Sequence, residues 1–145
     1  MFLKLCLAFA LMAVCVVIHA AGVATALTWV RTHSTSSQAK PLARIWLFVR
    51  VAAWMISFHL LEIGVWAGFY SWVGALPDPT SSMYFSAVTY TTTGYGDVVL
   101  PLDWRVLGGV EALTGILMCG WSTGFFFAMV SGLERPNRPR QGGPE

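Results

Sequence analysis

Three apolar stretches constrain this chain more than any other feature, because each is long enough to cross a lipid bilayer. They cover residues 5–30, 51–72 and 104–130. The hydrocarbon core of a bilayer is about 30 Å thick, which a helix of roughly 20 apolar residues spans. Only 11% of the 145 residues are charged and 56% are hydrophobic, whereas a soluble domain carries about 25% charged residues. We therefore expect an all-α membrane protein with three transmembrane helices.

The first apolar stretch has a second interpretation, a cleaved signal peptide. Lys4 precedes the apolar run, and the small residues 24–26, Ala-Thr-Ala, resemble a cleavage site. The run is long for a signal peptide. This length favours a transmembrane helix over residues 1–30.

The basic residues predict an orientation. They are concentrated in the loop 31–50 and in the tail 134–145: Arg31, Lys40, Arg44, Arg50, Arg135, Arg138 and Arg140. Lys and Arg are enriched on the cytoplasmic side of membrane proteins. Both regions reach that side only if the amino terminus is outside and three spans follow. We expect a multi-pass protein of the plasma or inner membrane whose carboxyl terminus is cytoplasmic.

The two basic regions differ in character. Residues 41–50 alternate basic and aromatic side chains, which is compatible with a short helix on the membrane surface. The tail 134–145 is polar and rich in Pro and Gly, which predicts disorder. The net charge of +2 is too small to indicate a nucleic-acid partner.

The segment between the second and third stretches predicts a re-entrant loop. Residues 82–91 are apolar but too few to span, and Asp78, Pro79 or Ser81 can start a helix there. A run of Thr and Gly follows at residues 92–96. Non-helical backbone at membrane depth is tolerated only where it is buried in protein or lines a watery cavity. This arrangement indicates a pore.

The sequence after the predicted pore helix fits the binding of a dehydrated cation. Gly94 and Gly96 can adopt backbone angles that other residues avoid, so successive carbonyls can face one axis. The carboxyl end of the preceding helix adds a partial negative charge. The Thr92 hydroxyl can contribute an oxygen at the inner mouth, and Tyr95 can brace the strand from behind.

The motif TTGYGD at residues 92–97 resembles the selectivity filter of the potassium-channel pore family. The resemblance implies a pore module over residues 51–133, with an outer helix at 51–72, a pore helix at 82–91 and an inner helix at 104–131. It also implies a homotetramer in membrane lipid that conducts K⁺, with no organic cofactor and no enzymatic activity. Its filter residues would be Thr92, Thr93, Gly94, Tyr95 and Gly96, with K⁺ on the carbonyls of the first four and support from Asp97.

The sequence departs from the family pattern at three positions. Thr93 replaces the usual valine of the filter, and Val88 stands where some bacterial relatives have glutamate. Phe85 occupies a position where a tryptophan often donates a hydrogen bond to the filter aspartate. We therefore expect Asp97 to lack that brace.

Ionisable residues inside the apolar stretches are expensive in lipid and usually paired or functional. His59 and Glu62 lie three residues apart on one helix face. They are compatible with a proton or metal site, or with a simple buried hydrogen bond. Glu111 lies level with the filter, and we expect it to support the back of the pore helix or filter, for example through Thr93 or Tyr95.

Glycines on the predicted spans have two interpretations. Gly115, ten residues after Arg105, is similar to the flexible glycine of the family's inner helix and predicts a gating hinge. Close helix packing is the alternative, and the spacing from Arg105 favours the hinge. Gly64 and Gly68 form a small-residue face that predicts a packing contact.

The sequence leaves other functions open. A less selective cation channel is supported by the Thr93 replacement, and a non-conducting membrane interaction protein could use the same fold for assembly. A membrane enzyme built on His59, Glu62 and Glu111 is disfavoured, because the sequence offers no nucleophile or metal cluster beside them. No helix carries arginine at every third position, which argues against a voltage sensor of the usual kind.

Overall fold

The computed structural model describes residues 2–33 and 41–134, which form four helices and no strand. The helices are α1 (Phe2–His33), α2 (Pro41–Trp72), α3 (Pro79–Tyr90) and α4 (Arg105–Glu134). Three of them contain stretches long and apolar enough to cross a membrane: Phe2–Thr32, Pro41–Trp72 and Arg105–Gly132. The prediction of an all-α fold with three candidate membrane spans is confirmed.

The helix bounds differ from the sequence divisions by ten residues at the start of α2 and by one to three residues in the other helices. Helix α2 runs without a break from Pro41, so residues 41–50 are its first three turns and not a separate surface helix. Helix α3 begins at Pro79, because Asp78 caps it and accepts hydrogen bonds from the Ser81 amide (2.8 Å) and hydroxyl (2.7 Å). These bonds also lower the pKa of Asp78. The predictions for residues 34–40 and 135–145 lie outside the described residues.

Helix α1 packs against α2 and α4 of its own chain. Near its amino end, Lys4 donates to the Asp103 carbonyl (2.8 Å) and lies 4.5 Å from the centre of the Trp104 ring. Near its other end, the Arg50 guanidinium of α2 lies 4.8 Å from the centre of the Trp29 ring. Helix α1 therefore runs parallel to α4 and antiparallel to α2.

The core has two parts, one at each end of the helix bundle. The first surrounds α3, where the Phe85 ring meets Tyr70 of α2 edge-on with the ring centroids 5.4 Å apart. The second lies at the opposite end of the bundle and joins α1, α2 and α4: Val23, Ala26, Val51, Met55, Phe125 and Met129. The short helix α3 is thus held between α2 and α4 at one end of a three-helix bundle.

Candidate ion-conduction site

Residues 92–96, which follow α3, alternate in backbone handedness; they are called the strand below, although they pair with no other segment of the chain's described residues. Thr92, Gly94 and Gly96 have φ angles of 61°, 51° and 79°, and Thr92 is the one non-glycine residue with positive φ in the described ranges. The intervening Thr93 and Tyr95 therefore have negative φ. Alternation of this kind turns successive peptide planes so that their carbonyls can line one side of the strand, and glycine adopts the left-handed half most easily.

The amides at the start of this strand point back to α3. The Thr92 amide donates to the Thr89 carbonyl (2.9 Å), and the Gly94 amide donates to the Val88 carbonyl (3.0 Å). The last turn of α3 therefore fixes the path of the strand. Every residue from 91 to 97 is exposed to the surroundings in the single chain.

Asp97 accepts a hydrogen bond from a side chain of α3, contrary to the expectation from the sequence. The Tyr84 hydroxyl donates to Asp97 Oδ2 at 2.6 Å, which lowers the pKa of Asp97 and raises the pKa of Tyr84. The expectation that Asp97 lacks a brace was wrong, because it considered only the Phe85 position. Phe85 is buried against Tyr70, and the preceding residue faces the strand.

Glu111 is fully buried and contacts the middle of α3. Tyr70 donates to Glu111 Oε2 (2.8 Å), and the Ser86 hydroxyl lies 2.5 Å from Glu111 Oε1. The expected contacts with Thr93 or Tyr95 are replaced by this contact with Ser86. The Ser86 hydroxyl is also 2.8 Å from the Ile63 carbonyl and has only one proton. All three contacts are satisfied together if Glu111 is a neutral acid that donates to Ser86, which donates to Ile63.

Gly115 is the point where α4 meets the end of α3. A Cβ atom at Gly115 would lie 1.8 Å from the Tyr90 carbonyl oxygen, which no relaxation of a side chain could relieve. Close packing therefore explains this glycine, and its role as a gating hinge stays a prediction. Added Cβ atoms at Gly64 and Gly68 would meet nothing within 4 Å, so their face makes no packing contact inside the described part of the chain.

His59 and Glu62 belong to a larger buried cluster that joins all four helices. Glu62 is bonded to His19 of α1 (Nδ1 to Oε1, 2.9 Å) and accepts from Tyr90 of α3. His59 lies 3.1 Å from the Tyr90 hydroxyl and 3.1 Å from the hydroxyl of Ser122 on α4. Ser122 is also 3.1 Å from His19. His59 itself is 3.7 Å from Glu62, so the predicted direct hydrogen bond between these two is absent.

Sequence reasoning missed three members of this cluster, His19, Tyr90 and Ser122. The available signal was His19, an ionisable side chain in the middle of the first apolar stretch. Ligand atoms of His19, His59 and Glu62 lie within 4.8 Å of one another, so these side chains could hold a metal ion. The same atoms are accounted for by the hydrogen bonds above without a metal.

The fold and this site together define an ion-channel pore module: two long apolar helices, a short helix between them, and an exposed non-helical segment at its end. A family model described as ion channel matches residues 58–132, just over half of the chain. The matched region runs from the second half of α2 through α3 and the strand to the last turn of α4. The chain belongs to this ion-channel family. No curated protein and no solved structure matches it.

Proposed function

We propose that four copies of this chain form a K⁺-selective channel that conducts passively and has no enzymatic activity. K⁺ would bind to the carbonyls of Thr92, Thr93, Gly94 and Tyr95, with Gly96 completing the filter. The observation that carries this proposal is the alternating handedness of the strand 92–96. A strand of this kind can present several carbonyls in a row, and rings of carbonyls replace the hydration shell of K⁺ in potassium channels.

The exposure of the strand supports an oligomer. Residues 91–97 are all exposed in the single chain, although they follow a helix held within the bundle. Irregular backbone at membrane depth is stable only when protein or a watery cavity covers it. Further copies arranged around a common axis would provide both, and four is the number that a carbonyl-ring filter uses.

The environment of Thr93 favours K⁺ selectivity over weak cation selectivity. Its hydroxyl lies 3.1 Å from the Thr91 hydroxyl, so the polar group that replaces a valine methyl has a partner. The β-branched shape is retained as well. Thr93 can therefore keep the backbone in the form that a valine would support.

The position of α1 supports the proposed orientation. Lys4 contacts Asp103, which places the amino end of the chain on the same side as the loop between the strand and α4. In the proposed channel this is the outer side. The amino terminus would then be outside and the carboxyl terminus cytoplasmic, in the plasma or inner membrane, as the basic residues predict.

Flux through liposomes that hold the purified protein tests the proposal. We expect K⁺ flux that exceeds Na⁺ flux and is blocked by Ba²⁺. Gly96→Ala should abolish this flux, because the residue needs a φ of 79°. Gly74→Ala is the matched control, since Gly74 has a φ of 64° in the loop before α3. Equal K⁺ and Na⁺ fluxes would indicate a weakly selective channel, and the absence of flux would favour a non-conducting role.

A further inference from the structure

The cluster around Glu62 forms a closed ring of five hydrogen-bonding contacts. The order around the ring is Glu62, His19, Ser122, His59, Tyr90 and back to Glu62. Glu62 and His19 are fully buried, and Ser122 is 7% exposed. The two imidazoles lie side by side, with ring centroids 5.1 Å apart. Each contributes one nitrogen toward Glu62 or Tyr90 and the other toward Ser122.

Counting hydrogens shows which state of the ring is complete. Each contact is filled by one proton, so five contacts need five protons. The hydroxyls of Tyr90 and Ser122 supply two, and two neutral imidazoles supply two more. The fifth is either a proton on the Glu62 carboxyl or a second proton on an imidazole.

The five-proton ring has no net charge, whether the extra proton lies on Glu62 or on a histidine. The four-proton ring carries one negative charge and leaves two lone pairs facing each other at one contact. An uncompensated charge and an unmade hydrogen bond are both costly away from water. Burial therefore stabilises the ring that holds the fifth proton.

The other ionisable side chains near the ring do not supply this proton. Those that interact electrostatically with Glu62 and Tyr90 are Cys15 on α1 and Cys119 on α4. Glu111 on α4 interacts with Cys15 and with Tyr70 on α2. None of them belongs to the five contacts. The thiols are ordinarily protonated at neutral pH.

We propose that His19 is a positioning residue of the pore, which closes this ring, holds its fifth proton in place and thereby lets α1 support the carboxyl end of α3. The proposal rests on the proposed function, because α3 ends at Tyr90 and the filter begins two residues later. The ring contacts the Tyr90 side chain through its hydroxyl, and Gly115 packs against the Tyr90 carbonyl. Loss of His19 opens the ring and releases the side-chain support.

Two variants separate positioning from simple packing. Glu62→Gln keeps the ring closed, since its amide donates to His19 while its carbonyl accepts from Tyr90. His19→Ala opens the ring. Thr28→Ala is the matched α1 control, because the Thr28 hydroxyl bonds only within its own helix, to the Thr25 carbonyl (2.8 Å).

The test is K⁺ flux in liposomes. Glu62→Gln should conduct as the wild type does, because its amide keeps the ring closed. His19→Ala should lose flux roughly tenfold, because a buried group without its partner costs about that factor. Thr28→Ala should match the wild type. Loss of flux in Glu62→Gln, or full flux in His19→Ala, would overturn the proposal.

A measurement that does not need conduction keeps the proposal distinct from the proposed function. The chain has three histidines, so ¹⁵N spectra of a His33→Gln protein report on His19 and His59 alone. Both should give the signals of hydrogen-bonded imidazoles, and Ser122→Ala should shift the signals of both, because Ser122 contacts both rings. Signals that Ser122→Ala leaves unchanged would overturn the ring even in a conducting channel, whereas a joint shift without flux would leave the ring supported and refute the channel. One tightly bound Zn²⁺ per chain that His19→Ala removes would overturn the ring as a proton site.

Discussion

The two buried glutamates, Glu62 and Glu111, hold the same helix in different ways. Both are fully buried, and both contact α3, Glu111 at Ser86 in its middle and Glu62 at Tyr90 at its end. The partners of Glu111 are hydroxyls and, through Ser86, a backbone carbonyl. Glu62 has an imidazole as well as a hydroxyl.

This difference in partners decides what each glutamate can do. The hydroxyl partners of Glu111 connect α3 to α2 and α4 locally. The imidazole partner of Glu62 has a second nitrogen, which contacts Ser122 of α4, so Glu62 belongs to a ring that joins all four helices. The same residue type, equally buried, thus serves as a local support of α3 in one place and as part of an extended ring in the other.

Removing Glu111, the local support of α3, should give the largest effect. Glu111→Leu leaves the Tyr70 hydroxyl without its buried partner, at about 1–3 kcal/mol, and leaves Ser86 with the Ile63 carbonyl alone. We expect loss of the folded, assembled protein on size-exclusion chromatography and loss of flux. Glu111→Gln should keep both, because an amide can donate to Ser86 and accept from Tyr70. Normal assembly of Glu111→Leu would show that this contact does not hold α3.

Crowding the end of α3 should have the next largest effect. Gly115→Ala places a methyl group against the Tyr90 carbonyl oxygen, and overpacking of this kind typically costs about 1–3 kcal/mol, occasionally more. We expect a clear drop in thermal stability and in K⁺ flux. Gly120→Ala adds the same methyl group on the same helix, where nothing lies within 4 Å in the chain.

The outcome of the glycine pair also tests the hinge interpretation. A hinge predicts that Gly115→Ala alters channel opening while the protein remains as stable as the Gly120→Ala variant. Close packing predicts that stability falls with flux. An unchanged melting temperature would therefore contradict the packing account.

Loss of the hydrogen bond from Tyr84 to Asp97, which lies outside the membrane-spanning helices, should have a smaller effect. Tyr84→Phe removes the hydroxyl that donates to Asp97 and keeps the ring. Both groups are solvent-exposed, so we expect a stable tetramer with a few-fold lower ratio of K⁺ to Na⁺ flux. Tyr95→Phe serves as the comparison, because it removes a different hydroxyl from the same region. A selectivity equal to that of the wild type would show that Asp97 does not depend on Tyr84.

The smallest expected effect is the response of this brace to acid. The hydrogen bond from Tyr84 lowers the pKa of Asp97 below its ordinary value of 3.8. Since the carboxylate form accepts the bond, its contribution is complete above the ordinary value and is lost only as the pH falls through the lowered pKa. K⁺ selectivity should therefore be constant down to about pH 4 and decline below it. Tyr84→Phe, which lacks this hydrogen bond, should not show that decline.

Parts of the fold and of the site could be predicted from the sequence, because they depend on local patterns. Apolar length predicts the spans, Asp78 and Pro79 mark the start of α3, and the glycines of residues 92–97 predict the strand. Each signal lies within a short stretch of chain. The cap, for example, joins residues only three positions apart.

The remaining features depend on packing between distant segments. His19 lies 43 residues from Glu62 and 103 residues from Ser122, so no local pattern shows that they meet. The brace on Asp97 was missed for a smaller reason, a difference of one residue on α3. One position along a helix turns a side chain by about 100°, which separates the buried Phe85 from the strand-facing Tyr84.

The most direct test of the central claim is a single-particle cryo-electron microscopy reconstruction of the purified protein in KCl. The account predicts a four-fold symmetric assembly with the strands 92–96 around the axis and ion density between the carbonyls of Thr92 to Tyr95. It also predicts that α1 packs against α2 and α4 of its own chain. A monomer, a dimer, or a tetramer whose strands face away from the axis would contradict it.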